Sequence, residues 1–389
     1  MLYIVEYSLF FIFRAILFPL LFFIPLFLEE KGITGWRVGV LMGEASVVGL
    51  LLSFPSGILN DRVESKFLII ISLFLAGFFL IFFSYINSFI LLIFLFMIFG
   101  VSRNLFQISF DSIFFKQIIR GQGSVQIGNY FLIFSIAVVI GFSFVVAFSN
   151  SRSFEELYFL AGIIYLISIS LAWNLNLSGT ERISVSEYKE DIKGGAFYFM
   201  AFVIFLFALH WGAEDTCYSL FLKHYLLLSK PLSALYMASE FVTFGASAYI
   251  IGILKDKYRL NLIWLFLSGI FISGLSLILK VNVNFAISIS MRMLHGIGDG
   301  IVMVVIYYAI SRKFNVKRIG GNLSIIIIIL MSGSFFGSLI FSRIGKLYGY
   351  HFSFIISGII LLFLSFVLGC YQVFLKWNIS NVELSSKFE

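Results

Sequence analysis

Long apolar runs, each broken by a short polar segment, follow one another along the whole chain. They fall near residues 7–28, 36–59, 67–86, 89–115, 130–148, 157–175, 197–222, 232–254, 260–279, 285–310, 323–344 and 352–375. A run of about 20 apolar residues crosses the hydrocarbon core of a bilayer, where only helices or closed barrels satisfy their own backbone. Runs of this length are helical, so the pattern predicts an all-α membrane protein with twelve transmembrane helices. The longest polar stretch, residues 176–195 (NLSGTERISVSEYKEDIKGG), splits the spans six and six.

Composition strengthens this reading. Of the 389 residues 60% are hydrophobic and 12% charged, against roughly 25% charged in a soluble domain. With 50 Phe and a mean hydropathy of +1.04, the chain has more apolar surface than a globule of its length can bury. The first run is too long for a signal-peptide core and lacks a small-residue cleavage site, so it reads as a retained helix. Cys217 and Cys370 lie in apolar stretches outside any ligand spacing, and neither a disulfide nor a metal site is expected. The net charge of +7 is dispersed over short loops and forms no nucleic-acid patch.

That dispersed charge reports orientation. With both termini cytoplasmic, the inner segments hold Arg62, Lys66, Lys116, Arg120, Arg182, Lys189, Lys193, Lys255, Lys257, Arg259, Arg312, Lys313, Lys317, Arg318, Lys376 and Lys387. The outer segments hold half as many: Lys31, Arg37, Arg152, Lys223, Lys230, Lys280, Arg343 and Lys346. The positive-inside rule favours this arrangement. It predicts a six-helix half over 1–175, a cytoplasmic linker over 176–195, a second six-helix half over 196–376 and a cytoplasmic tail over 377–389, all in a plasma-membrane protein.

The halves repeat each other. GILNDRVESK (residues 57–66) after the second span matches GILKDKYRLN (residues 252–261) after the eighth. Arg14 and His210, Glu44 and Glu240, Gly49 and Gly245, and Arg103 and Asp299 all stand 196 residues apart. Six spans per half preserve orientation, which implies a parallel duplication about an axis normal to the membrane.

On these residues the chain resembles the major facilitator superfamily, whose loop signature G-x-L-x-D-R-x-G-R-R/K is matched by Gly57, Leu59, Asp61, Arg62 and Lys66, with Glu64 and Ser65 departing from it. The second copy supplies Gly252, Leu254, Asp256 and Lys257. RMLHGIGDG (residues 292–300) is similar to the family's R-x-x-Q-G-x-G pattern, with His295 replacing Gln. The fifth span has Gly141 but no proline, and so departs from the glycine-and-proline pattern of the antiporter branches. The resemblance implies two pseudo-symmetric six-helix halves that rock about a central cavity lined by spans 1, 4, 7 and 10. It also implies that Asp61 docks on span 11 and Asp256 on span 5 to hold the halves together. Helix N-termini carry unpaired N–H groups that stabilise a carboxylate, and Asn129 and Asn322 suit the N-cap role.

A charge at bilayer depth costs on the order of 3 kcal/mol on insertion scales, so each needs a partner or a watery cavity. The candidates for a substrate and proton pathway are Arg14, Arg103, His210, Glu214, Asp215, Arg292, His295 and Asp299, with Glu44, Asp111 and Glu240 as further candidates nearer the interfaces. Arg103, Gln107 and Asp111 share one helix face, as do Arg292, His295 and Asp299. Arg14 and Glu44 could pair between neighbouring helices in a purely structural role, and Arg103 could partner Asp299, which the repeat places at matching depth. Three arginines face six carboxylates, so some acids are expected to bind protons, with Glu214 beside Asp215 as the foremost pair and His210 or His295 as relays. Among Glu214, Asp215 and Asp299, the mid-membrane Asp299 is the first candidate for the coupling group.

The function expected is secondary transport of a small molecule by alternating access, coupled to protons, with drug or organic-cation efflux weighed against uptake of an organic anion or other metabolite. A membrane sensor of the same fold is the alternative. A P-loop, a metal-binding H-E-x-x-H and a nucleophile elbow are all missing, so neither an ATP-driven pump nor an enzyme is expected. The reading calls for no cofactor, a lipid-embedded monomer and no nucleic-acid partner.

Overall fold

The computed structural model describes residues 2–33, 36–118, 123–148, 152–175 and 185–385. Six helices form the first half: α1 (Leu2–Glu30), α2 (Trp36–Arg62), α3 (Ser65–Tyr85), α4 (Phe89–Gln117), α5 (Gly123–Phe148) and α6 (Phe154–Ala172). A short helix, α7 (Val185–Asp191), belongs to the linker. The second half contains α8 (Gly195–His224), α9 (Lys230–Tyr258), α10 (Leu262–Leu279), α11 (Phe285–Lys313), α12 (Ile319–Tyr348) and α13 (Tyr350–Ser385). Among the described residues twelve helices are long and apolar enough to cross a membrane, which is the number of apolar runs. Arg120, Arg182, linker residues 176–184 and tail residues 386–389 lie outside the described residues.

Several helices outrun the apolar segments that announce them. α2 continues to Arg62 and α9 to Tyr258, so most of each repeated G-x-L-x-D motif is the last helical turn and not a loop. α5 begins at Gly123 and α12 at Ile319, upstream of Asn129 and Asn322, so neither asparagine is an N-cap. α13 runs to Ser385, beyond the expected boundary at 376. A helix needs apolar side chains only at hydrocarbon depth, and beyond it the backbone stays paired internally whatever the side chains are.

Helix pairs in one half have counterparts in the other. α1 packs on α5 and α8 on α12; α2 on α4 and α9 on α11; α3 on α6 and α10 on α13. The halves meet along α2 against α12 and α5 against α9. A Cβ on Gly57 would lie 2.5 Å from the Gly320 carbonyl and 2.6 Å from Ser324 Oγ, while one on Gly252 would lie 2.5 Å from the Ser124 carbonyl and 3.3 Å from Gly128 Cα. Ser124 and Gly320 are 196 apart, as are Gly128 and Ser324, so both crossings use equivalent positions. The motif glycines are there because two helix backbones touch.

Helix ends are tied down by local chemistry. The Asn261 side chain accepts from Ile263 N at 2.9 Å to open α10, and Asn284 accepts from Ala286 N at 3.0 Å to open α11. Lys31 donates to the carbonyls of Phe83, Ser84 and Ile86 at 2.8–3.0 Å, placing a cation at the C-terminus of α3. Burial pushes this ammonium below its usual range, partly offset by the Glu155 charge.

The crossing geometry sets an expectation for stability. Gly57→Leu and Gly252→Leu should each lower the melting temperature of the detergent-purified protein, since overpacking costs about 1–3 kcal/mol. Gly39→Ala, with no atom within 4 Å of its added Cβ, should melt like the native protein. Native-like melting of both leucine variants in a fluorescence-detected unfolding scan would contradict the backbone contact.

Candidate functional site

At the end of the bundle that carries the linker, Asp61 clamps the two halves. Its Oδ1 accepts from Gly320 N at 3.0 Å and its Oδ2 from Gly321 N at 2.8 Å, so the carboxylate caps the N-terminus of α12. Tyr188 of α7 donates to Oδ2 at 2.9 Å, and Lys116 Nζ stands 4.0 Å away. Burial and the Asp61 charge push the Tyr188 phenol well above its usual range, so it stays protonated and donates throughout the neutral range. Asp256 makes the equivalent contact, accepting from Val125 N on α5 at 3.3 Å; Val125 and Gly321 are again 196 apart. Arg318 holds α7 through Glu187 at 2.9 Å and Asp191 at 3.0 Å. Of the other motif cations, Lys66 lies 3.7 Å from Glu64, Lys257 lies over the Tyr258 ring, and Arg62 is exposed in the last turn of α2.

Deeper in the first half, Arg14 donates to Gln107, Gln107 donates to Asp111, and Asp111 also accepts from Tyr130 and, at 3.0 Å, from Tyr307 of the second half. Asp111 is wholly buried. The candidate Arg14–Glu44 pair does not form: the Arg14 guanidinium lies among the rings of Phe10, Phe18 and Phe134, and buried Glu44 Oε2 has no hydrogen-bond partner.

The second half holds a larger cluster. Close contacts of Gly296 with α9 and of Gly298 with α10 draw α11 inward, and the Arg292, His295 and Asp299 stripe faces the interior of this half. Arg292 bridges Glu214 of α8 and Glu240 of α9 while lying over the Tyr218 ring. Lys280 is completely buried, 3.4 Å from Glu214 and packed on Tyr218 and Phe354; it is not the exposed outer-loop base expected from its position between spans. Asp299 accepts from Ser273 Oγ at 2.8 Å and Trp211 Nε1 at 3.3 Å, and its Oδ2 lies 3.2 Å from His210 Nε2. The candidate Arg103–Asp299 pair is therefore replaced by contacts within one half.

Glu214 and Asp215 are also separated. Consecutive helical residues project about 100° apart, so Glu214 enters the cluster while Asp215 turns to α12, where Ser334 Oγ donates to it at 2.8 Å. Asp215 is exposed and Arg103 partly so, although each lies well inside its helix, α8 and α4. The two charges act on each other, α4 against α8. Among the described residues, no carboxylate comes within ion-pair distance of Arg103.

A family profile for the Major Facilitator Superfamily matches residues 192–376. The second half of the chain is thus similar to that superfamily, and the twelve candidate spans agree with it. That superfamily is one of membrane transporters, and the twelve candidate spans fit a multi-pass membrane protein. The crystal structure of the human organic anion transporter MFSD10 (TETRAN) superposes with a TM-score of 0.70 at 13% identity, covering 94% of this chain and 98% of that one. No curated protein matches the sequence at a significant level.

Sequence reasoning missed Tyr188, Tyr307, Ser273 and Lys280. The repeat offset could have found Tyr307, which stands 196 residues after its partner Asp111. Nothing local marks Tyr188 or Ser273.

The two clamps differ in strength, and this can be measured. Asp61 is fully buried with two backbone donors and a phenol, whereas Asp256 has one long bond and is half-buried. Asp61→Ala should therefore raise the thiol-reagent labelling rate of a Ser324→Cys reporter at the buried α2–α12 crossing at least tenfold, corresponding to a loss of about 1.4 kcal/mol or more. Asp256→Ala should change labelling of a Ser124→Cys reporter, buried at the α5–α9 crossing, less, and equal effects would sink the asymmetry.

Proposed function

We propose that the chain is a proton-coupled transporter of a small organic anion, with Arg103 binding the anion and Asp215 carrying the coupling proton. The observation that carries this reading is that Arg103 is a partly accessible cation within a span and, among the described residues, has no carboxylate at ion-pair distance. Asp111 is held by tyrosines, Glu214 and Glu240 by Arg292, and Asp299 by Ser273 and Trp211. Little acidic surface is left for an organic cation, which favours the anion reading over cation efflux. MFSD10, similar in fold, is described as an organic anion transporter.

Coupling then follows from Coulomb's law. An ionised Asp215 offsets the Arg103 charge, and the substrate anion has to compete with it. Protonation removes that competitor, and in a site of low effective dielectric the attraction between Arg103 and the anion rises. Anion and proton therefore favour each other's binding, the condition for symport. The groups around Asp215 are Arg103 from α4, Ser334 from α12, and Glu214 and His210 from its own helix. The half-to-half contacts of Asp61 and Asp256 close the linker end, and we assign that end to the cytoplasm of a plasma-membrane protein because its loops carry the basic excess. The units that rock are taken as residues 1–175 and 196–376.

In proteoliposomes, Arg103→Gln should reduce exchange of organic anions by on the order of 10²-fold, the loss of roughly 3 kcal/mol for a charged hydrogen bond. Asp215→Asn should abolish accumulation driven by an inward proton gradient while sparing downhill exchange. Anion exchange unaffected by Arg103→Gln would defeat the substrate assignment, and gradient-driven uptake by Asp215→Asn would defeat the coupling assignment. Failure of the native protein to exchange any anion would favour the sensor reading.

Topology has its own test. A cysteine at Glu187 should react from the cytoplasmic side only, and one at Leu227, 80% exposed at the opposite end, from the outer side only. Labelling of both from one side would overturn the orientation.

A further inference from the structure

We infer that His210, His295 and Asp299 form a binding site for a divalent transition-metal ion of the zinc, cobalt or nickel type, inside the second half and separate from Arg103 and Asp215. One ligand atom from each residue lies within 4.8 Å of the others, and all three residues are buried. His210 comes from α8, while His295 and Asp299 stand one turn apart on α11. His210 Nε2 and His295 Nε2 lie 3.2 and 3.8 Å from the same atom, Asp299 Oδ2. Ligand bonds of about 2.0–2.1 Å in a tetrahedral zinc site place neighbouring donor atoms roughly 3.3 Å apart. The imidazole planes are 89° apart with centroids 5.4 Å apart, so the rings approach from different directions.

Surrounding hydrogen bonds fix which nitrogen faces inward. His210 Nδ1 lies 2.5 Å from the Phe207 carbonyl, which can only accept, so the hydrogen sits on Nδ1. Ser273 Oγ has one hydrogen and gives it to Asp299 Oδ1. Toward His295 Nδ1, 3.0 Å away, Ser273 Oγ must accept, and the Ser273 carbonyl, 3.3 Å from the same nitrogen, can only accept as well. In their neutral forms both rings therefore aim Nε2 lone pairs at a carboxylate oxygen that has lone pairs of its own. His295 Nε2 is buried and makes no hydrogen bond. Electron pairs converging in this way repel unless a cation lies between them. Histidines that donate their other N–H to a carbonyl or hydroxyl, beside a carboxylate itself hydrogen-bonded by Trp211 and Ser273, are the outer-shell pattern of a metal centre.

Ligand type and charge agree. Two imidazoles with one carboxylate suit zinc-like ions, whereas magnesium and calcium require oxygen donors throughout. The surrounding cluster contains three carboxylates, Glu214, Glu240 and Asp299, against Lys280 and Arg292, so it is short of positive charge. Glu214 Oε1, 3.2 Å from His295 Nε2, stands beside the fourth coordination position.

Cobalt(II) titration of the chelator-treated, detergent-purified protein tests this without any transport assay. The expected result is one equivalent bound with the intense visible band of four-coordinate cobalt, displaced by zinc. His210→Gln and His295→Asn should each lose the band. Ser273→Ala retains every ligand and disturbs only their support, and it should weaken cobalt binding by about 10–100-fold; because it creates little space, this variant keeps the test decisive should a histidine variant fail to fold. A native protein with no cobalt band, which is the outcome if the cluster binds a proton only, overturns the inference. So does a band that survives in both histidine variants, or cobalt affinity unchanged by Ser273→Ala. The band is read independently of Arg103 and Asp215, so failure of anion transport leaves this result standing, and the reverse also holds.

Discussion

A charge inside a bilayer cannot be left to water, and this one requirement explains most of the polar architecture here. Removing one partner of a buried pair costs about 3–5 kcal/mol, because the other charge is then stranded. The interior therefore contains connected groups in place of isolated ones: Arg14 to Gln107 to Asp111 to two tyrosines in the first half, and Arg292 with Lys280 against three acids in the second. Once those groups are engaged, Arg103 and Asp215 remain as accessible charges facing each other from opposite halves. On the proposed reading, the binding site arises where pairing is left incomplete.

The same constraint separates the two ends of the bundle. At the linker end the halves are joined by a buried carboxylate on backbone N–H groups, by a tyrosine reaching from α11 to Asp111, and by Phe115, Tyr130 and Phe131 packed on that ring. At the other end Glu29 meets Lys223 and Glu30 meets Lys230 at 2.6 Å, with each side chain between one third and one half exposed. Exposed pairs contribute about 0–1 kcal/mol and are screened by salt. The linker end is thus the firmer closure, and the other end opens at smaller cost, a sound basis for alternating access.

Much of this was legible from hydropathy and from the repeat. Twelve spans and two halves follow from apolar length and from charged positions recurring at nearly one offset, while the paired Asp61 and Asp256 contacts follow from the family resemblance of their motifs. Partners were harder to read. Glu214 and Asp215 look like a like-charged couple in sequence, but helical rotation sends one into the cluster and the other to α12. Lys280 looks like a loop base, yet its stem lies on Tyr218 and Phe354 and its ammonium reaches inward. Such contacts depend on the relative rotation of separate helices, which a one-dimensional pattern does not contain.

The duplication also shows which features belong to the scaffold and which to chemistry. Gly57 and Gly252, or Val125 and Gly321, keep equivalent roles because any two-half bundle with these crossings needs close backbones and capped carboxylates. Positions facing the interior kept their polarity and changed their charge: Arg14 became His210, Arg103 became Asp299, and Asp111 stands opposite its own repeat mate Tyr307. Had the halves stayed alike, an arginine would face an arginine across the axis, and each would repel its image. Divergence removed that repulsion, leaving a basic first half at Arg103 and an acidic second half. On the proposed reading a solute anion and a proton are drawn to these opposite sides, and this separation lets a single rocking motion carry both.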